Sequence, residues 1–178
     1  MADQESNAVD LRLWSEEDLP LLQALLGDPA MMTHLGGPET PEQIAARHTR
    51  YCRLEESGTG RMFVIVVGPE RVAAGSVGYW EREWQGAMVW EAGWSVLPAF
   101  QGRGIATQGT AAAVARARAE GRHRFLHAYP AVDNPPSNAV CRKVGFALLG
   151  PFEGEYPRGH FMQCNDWVFD LFAAPPGG

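Results

Sequence analysis

The residues that could do chemistry begin with one short run, Phe100-Gln101-Gly102-Arg103-Gly104-Ile105-Ala106-Thr107, set between an apolar stretch and an Ala-rich helix. Two glycines remove side chains where a ligand would approach the backbone. The first amides of the following helix lack partners inside it, and its dipole places partial positive charge there. Such a loop takes an anion, and a phosphate group fits it. A dinucleotide fingerprint is a rival reading, because Gly102-x-Gly104-x-x-Thr107 comes close and Glu120 stands near the acidic position. Thr107 replaces its third glycine, however. The preceding strands read as hairpins rather than βαβ units, and too little chain follows Glu120 for a second nucleotide-binding half.

Gln101-x-x-Gly104-x-Ala106 resembles the acyl-CoA motif Gln/Arg-x-x-Gly-x-Gly/Ala of the GNAT superfamily of N-acetyltransferases. Downstream, Asn134-x-x-Ser137-x-x-Val140-x-x-Lys143-x-Gly145-Phe146 is similar to an element of the branch that holds ribosomal-protein N-terminal acetyltransferases. Leu11-Arg12-Leu13-Trp14 near the start and Asn165-Asp166-Trp167 near the end also resemble that branch, so the resemblance runs from about Leu11 to Leu171. It implies an acetyl-CoA-dependent transferase that acetylates a primary amine by direct attack in a ternary complex. The amine belongs to a protein N-terminus or a small molecule; acetyl-CoA is the cosubstrate, and no metal is involved.

By that resemblance the amides of Gly102, Arg103, Gly104, Ile105, Ala106 and Thr107 hold the diphosphate, and Gln101 shapes the loop. Arg103 adds charge to a phosphate or is an ordinary solvated arginine. Trp94, Ser95 and Val96 offer backbone to the pantetheine arm, and an N–H there stabilises the developing oxyanion. The acceptor must lose a proton: a lysine-type amine has a pKa of ~10.4, an α-amine about 7.7–8.0. Glu91 is the candidate base, on the pantetheine strand where many family members place theirs. Glu81 and Glu83 read as solvated residues of a hairpin loop. Many relatives use a Tyr to stabilise the departing thiolate, at a position that here is Cys141; Ser137 is the alternative and the favoured one. Asn134 contacts the pantetheine arm or simply caps its helix. His34 and His160 flank the acceptor side in relatives, and Met31 to Gly37 lines it. Trp80, Trp84, Trp90 and Trp94 stack on a cation or fill the core. The missing Tyr leaves room for a different class, a non-catalytic acyl-CoA sensor or scaffold. Transfer of a longer acyl group is a further alternative, though no basic cluster marks a site for a second carboxylate.

These residues must be positioned by a single domain, which 178 residues suffice to build. The order reads as strand, two helices, three antiparallel strands, helix, strand, helix and two closing strands. Ser15 with Asp18 and Thr40 with Gln43 mark two helix starts, and Gly121 and Gly145 two ends. That is an α/β chain with a single mixed, mostly antiparallel central sheet flanked by helices, the fold the resemblance also implies. The domain is expected over 10–172, with flexible tails at 1–9 and 173–178. Residues 81–87 and 150–161 are expected as loops. The net charge of −6 argues against nucleic acid. No run suits a membrane span, and the start lacks the pattern of a signal peptide. The three cysteines lack metal spacing and fit free thiols in a cytoplasmic protein. Dimers are common among relatives, and the Trp and Phe content permits a homodimer.

Overall fold

The computed structural model describes residues 8–174. Its layers follow from β2 (Gly60–Val67), where Met62, Val64 and Val66 face one side and Phe63, Ile65 and Val67 the other, all buried. A strand apolar on both faces must lie inside a sheet covered on both sides. On the first face pack α1 (Leu19–Leu26) and α2 (Pro41–Ser57), through Leu22, Leu25, Ile44 and Leu54. On the second pack α3 (Ile105–Glu120) and α4 (Pro135–Val144), through Ile105, Ala113, Ala117 and Cys141. Burying one leucine such as Leu25, which is fully enclosed, contributes about 1.5–3 kcal/mol.

The remaining strands are β1 (Val9–Leu13), β3 (Val72–Trp84), β4 (Ala87–Val96), β5 (Phe125–Ala128), β6 (Ala147–Glu155) and β7 (Phe161–Asp170). They form one seven-stranded sheet in the order β1-β2-β3-β4-β5-β7-β6. Every neighbouring pair is antiparallel except β4 with β5. No helix among the described residues is long and apolar enough to cross a membrane.

Both expected capping boxes are present. Gln43 N–H donates to Thr40 Oγ1, while Gln43 Oε1 accepts from Thr40 N–H. Asp18 accepts from Ser15 N–H at 2.7 Å and from both terminal nitrogens of Arg12. Burial works to raise the Asp18 pKa, but these bonds outweigh it and hold the carboxyl below its usual range.

Three expectations change. The segment 81–87 is not a loop: β3 runs to Trp84, β4 starts at Ala87, and only Gln85 and Gly86 turn the chain, both with positive φ. Two such residues make the tight turn that suits hairpin twist. Polar Glu81, Arg82 and Glu83 are tolerated in the strand because it extends past the helices, and Glu81 is bound by Arg122 and His123 rather than solvated. The segment 150–161 is mostly strand as well, since β6 and β7 pair from Ala147 to Glu155 across a bulge between Leu148 and Gly150. Alternating half-buried and exposed residues from Gly150 to Glu155 give this hairpin one contact face. At the start, Val9 pairs with Val67 and belongs to the sheet. The rest of the expected N-terminal tail except Ala8, and 175–178 of the C-terminal one, lie outside the described residues.

Candidate active site

The sheet opens where β4 and β5 part. Only Trp90–Leu126 and Glu91–His127 pair between them, while β4 stays paired to β3 as far as Val96. From Ala92 onward, alternate backbone N–H and C=O groups of β4 therefore point into a gap with no strand on that side. Trp94 and Val96 turn their side chains toward the core on the α3–α4 face, so Trp94, Ser95 and Val96 present main chain to the gap.

The gap leads to the glycine loop. Gln101 Nε2 donates to Val96 O at 2.9 Å, tying the loop to the end of β4. Gly102 and Gly104 both have φ of 74°, in the left-handed region, where a side chain would be strained. A Cβ on Gly102 would meet nothing within 4 Å, and one on Gly104 only Gln108 Nε2 at 3.8 Å. Gln108 N–H is bonded to Gly104 O, so the amides of Ile105, Ala106 and Thr107 precede the first full helical bond and lack intrahelical acceptors. The Arg103 guanidinium lies over the Phe100 ring at 5.6 Å. Open backbone with aligned donors fits the diphosphate of an acyl-CoA.

Across the gap stands α4. Asn134 Oδ1 accepts from Ser137 N–H at 3.3 Å and caps the helix. Asn138 is a buried staple: its amide donates to Ala131 O and Asn134 O, and its Oδ1 accepts from Asn165 Nδ2 and Trp167 Nε1. Ser137 is half-buried on the first turn. Cys141 is fully enclosed in the core, and burial pushes its thiol up to about 12. It thus lies among apolar side chains, with its proton firmly held.

The chain matches the acetyltransferase (GNAT) domain model over residues 9–147. The chain belongs to the GNAT acetyltransferase family. It is an N-acetyltransferase that uses an acyl-CoA. Among solved structures it is similar to RimL, a ribosomal-protein alpha-N-acetyltransferase in complex with coenzyme A, with a TM-score of 0.76 and 24% identity, covering 93% of this chain and 96% of that one. It is also similar to spermidine N-acetyltransferase from Vibrio cholerae in complex with CoA and spermine, with a TM-score of 0.74, 19% identity and coverage of 92% and 95%. An acetyltransferase from Bacillus anthracis matches with a TM-score of 0.75 and 18% identity over 93% and 96% of the two chains. No curated protein sequence matches.

Within the GNAT frame, Glu91 sits at the last pair before the strands part, and it is not alone there. Arg82 Nη1 donates to Glu91 Oε2 at 3.0 Å. The same guanidinium lies 5.0 Å from the Trp84 ring centroid and 4.5 Å from that of Tyr129. Tyr129 stacks on His127, and His127 Nδ1 bonds Asp166 Oδ1 at 2.6 Å. Trp84 Nε1 donates to the other oxygen of Asp166. Arg82 with Glu91, and His127 with Asp166, thus form two bonded pairs side by side across β3, β4, β5 and β7. Sequence reasoning missed Arg82, His127 and Tyr129, which meet only through strand register. Of the four tryptophans, Trp84 lies under the Arg82 guanidinium, and Trp90, which is fully buried, has the Arg122 guanidinium 6.0 Å from its ring centroid; both cations are internal.

The segment 28–37 lies against this region. Met31 Sδ accepts from Gln101 Nε2, His34 Nδ1 is 3.4 Å from Asp133 Oδ1, and a Cβ on Gly36 would meet Pro157 at 2.7 Å. His160 stands on the tip of the β6–β7 hairpin beside that same glycine. Arg47 and Glu39, with Tyr156 bonded to Arg47 at 2.6 Å, pin the hairpin tip to α2. Among the described residues no group of His, Cys, Asp and Glu could hold a metal ion.

Proposed function

We propose that the protein acetylates a primary amine, of a protein N-terminus or a small molecule, by direct attack on acetyl-CoA in a ternary complex. One observation carries this reading: a single gap in the sheet joins an open phosphate cradle at one end to a carboxylate at the other. Bound acetyl-CoA supplies a thioester carbonyl, whose C–S bond breaks as the C–N bond to the amine forms.

The chain's own residues do the rest. Amides of Gly102 to Thr107 bind the diphosphate, and Gln101 holds their loop. Main-chain groups at Trp94, Ser95 and Val96 align the pantetheine arm, and an N–H there stabilises negative charge on the carbonyl oxygen. Glu91 accepts a proton from the acceptor ammonium, directly or through water, and the neutral amine so formed attacks the carbonyl. Ser137 donates a hydrogen bond to the departing sulfur. Cys141 is the less suited donor because its side chain is enclosed in the core. Asn134 then serves α4 as its cap and reaches the arm with its remaining amide.

The test is thiol release from acetyl-CoA with a panel of N-terminal peptides, polyamines, aminoglycosides and amino acids, with product mass confirmed. An acetylated amine is the expected result. Stoichiometric CoA binding with no transfer to any amine would favour a sensor instead.

A further inference from the structure

Arg82 is more than a counter-ion for Glu91. It reaches from β3 over Glu91 on β4 to the ring of Tyr129, just past the end of β5. Its guanidinium therefore lies across the throat of the gap, where an acceptor amine must approach Glu91. The rings of Trp84 and Tyr129, themselves 4.9 Å apart, hold it in place. A guanidinium so stacked is a pre-set planar fork rather than a mobile charge. It carries five N–H donors. Among the described residues it makes one hydrogen bond, to Glu91. The Tyr129 ring beneath it carries a second donor, a buried hydroxyl with no partner among the described residues. Burying a hydroxyl unpaired is costly, and native structures seldom leave one so without a use.

A carboxylate and two unfilled donor groups make a two-sided site. Ammonium fits Glu91, and a carbonyl or carboxylate oxygen fits Arg82 and Tyr129. We propose that Arg82 selects the acceptor by bonding an oxygen on the carbon next to the amine-bearing one, so that the preferred acceptor is an α-amine. This inference rests on the transferase reading above. The electrostatics agree. A fixed cation at the throat repels the further positive charges of a polyamine. It also favours an amine that gives up its proton readily, and an α-amine does so about 2.5 pH units below a lysine-type amine.

The discriminating pair is alaninamide and isopropylamine, which share a methyl-bearing amine carbon and differ in whether its other substituent is a carboxamide or a second methyl. Wild type should prefer alaninamide in kcat/KM, and Arg82→Met should shrink that preference about 10- to 100-fold, the worth of a charge-assisted hydrogen bond. The loss should fall on KM more than on kcat. Tyr129→Phe, which removes one oxygen and preserves the ring stack, should shrink the preference about 3- to 10-fold. Arg82→Lys keeps the charge without the fork and should restore it only in part. A tetrapeptide and free alanine, run in parallel, separate a protein N-terminus from an amino acid as the source of the oxygen. An alaninamide preference that is absent in wild type, or intact in Arg82→Met, overturns the inference while leaving acetyl transfer standing. Should wild type bind CoA and acetylate nothing, the transferase reading fails by itself. Calorimetry of alaninamide on the CoA-loaded protein then decides this one: binding lost in Arg82→Met supports it, and no binding by wild type overturns it.

Discussion

The two ends of the gap are made of different material. At the glycine loop the open surface is main chain: Gly102 and Gly104 present nothing else, and Gln101 serves to hold the loop to Val96 O. At the other end the surface is side chain: Arg82, Trp84, Glu91, His127, Tyr129 and Asp166 come from strands or strand ends far apart in sequence and bond one another. A main-chain site needs only the right φ angles and a helix start, so eight consecutive residues build it. A side-chain site needs a sheet in register before it exists at all. The first suits a cosubstrate common to a family, and the second is free to change with the acceptor.

Substitutions at each end should separate these two kinds of site. Glu91→Gln should lower kcat/KM about 100- to 10,000-fold, the range for loss of a general base, with CoA affinity retained in calorimetry. The deficit should widen at lower pH, where less of the amine is already neutral. Asn138→Ala leaves the Asn165 amide and the Trp167 indole without their acceptor, and should cost about 3 kcal/mol in denaturant titration. Gly104→Val places a branched side chain at φ of 74° and should weaken CoA binding about 10- to 100-fold, sparing the relative preference among acceptors. Asp18→Asn touches neither end, so it should change stability alone, by about 2 kcal/mol at pH 7. Because the folded carboxyl is held below its usual range, its contribution is present above the unfolded value near 3.9 and fades as pH falls through the folded one. Wild-type and variant melting curves should converge in acid. The smallest effects separate the thiolate partners: Ser137→Ala should slow turnover up to about 10-fold, and Cys141→Ala should slow it less.

What could be read from the sequence follows the same division. The glycine loop leading into a helix, the capping boxes at Ser15 and Thr40, and the helix stops at Gly121 and Gly145 are local patterns, and each of these elements appears where expected. The full length of β3 was hidden because Glu81, Arg82 and Glu83 look like a loop until their partners arrive from β4 and α3's far end. Gln85-Gly86 was a weak turn signal beside the usual Asn-Gly. Asn165-Asp166-Trp167 did carry information that strand alternation could have unpacked. Asn165 and Trp167 face Asn138 on one side, and Asp166 faces Trp84 and His127 on the other. An acidic residue inside an apolar closing strand asks for a cationic or N–H partner, and the only thing missing was which one.

The two-residue contact between β4 and β5 has a mechanical consequence. Seven strands share one sheet, but main-chain bonding between its larger and smaller portions passes through Trp90–Leu126 and Glu91–His127. That seam is the weakest line in the sheet, and helices α3 and α4 brace it from one side. The alternate amides from Ala92 to Val96 that point into the gap lack a neighbouring strand to lock them, so they should exchange with solvent sooner than the amides of β4 bonded to β3. Whatever lies along that edge acts as a temporary eighth strand, stiffening the domain for as long as it stays. Under the proposed function occupancy and rigidity should be coupled: the protein is expected to be firmest while loaded and to loosen when the spent carrier leaves.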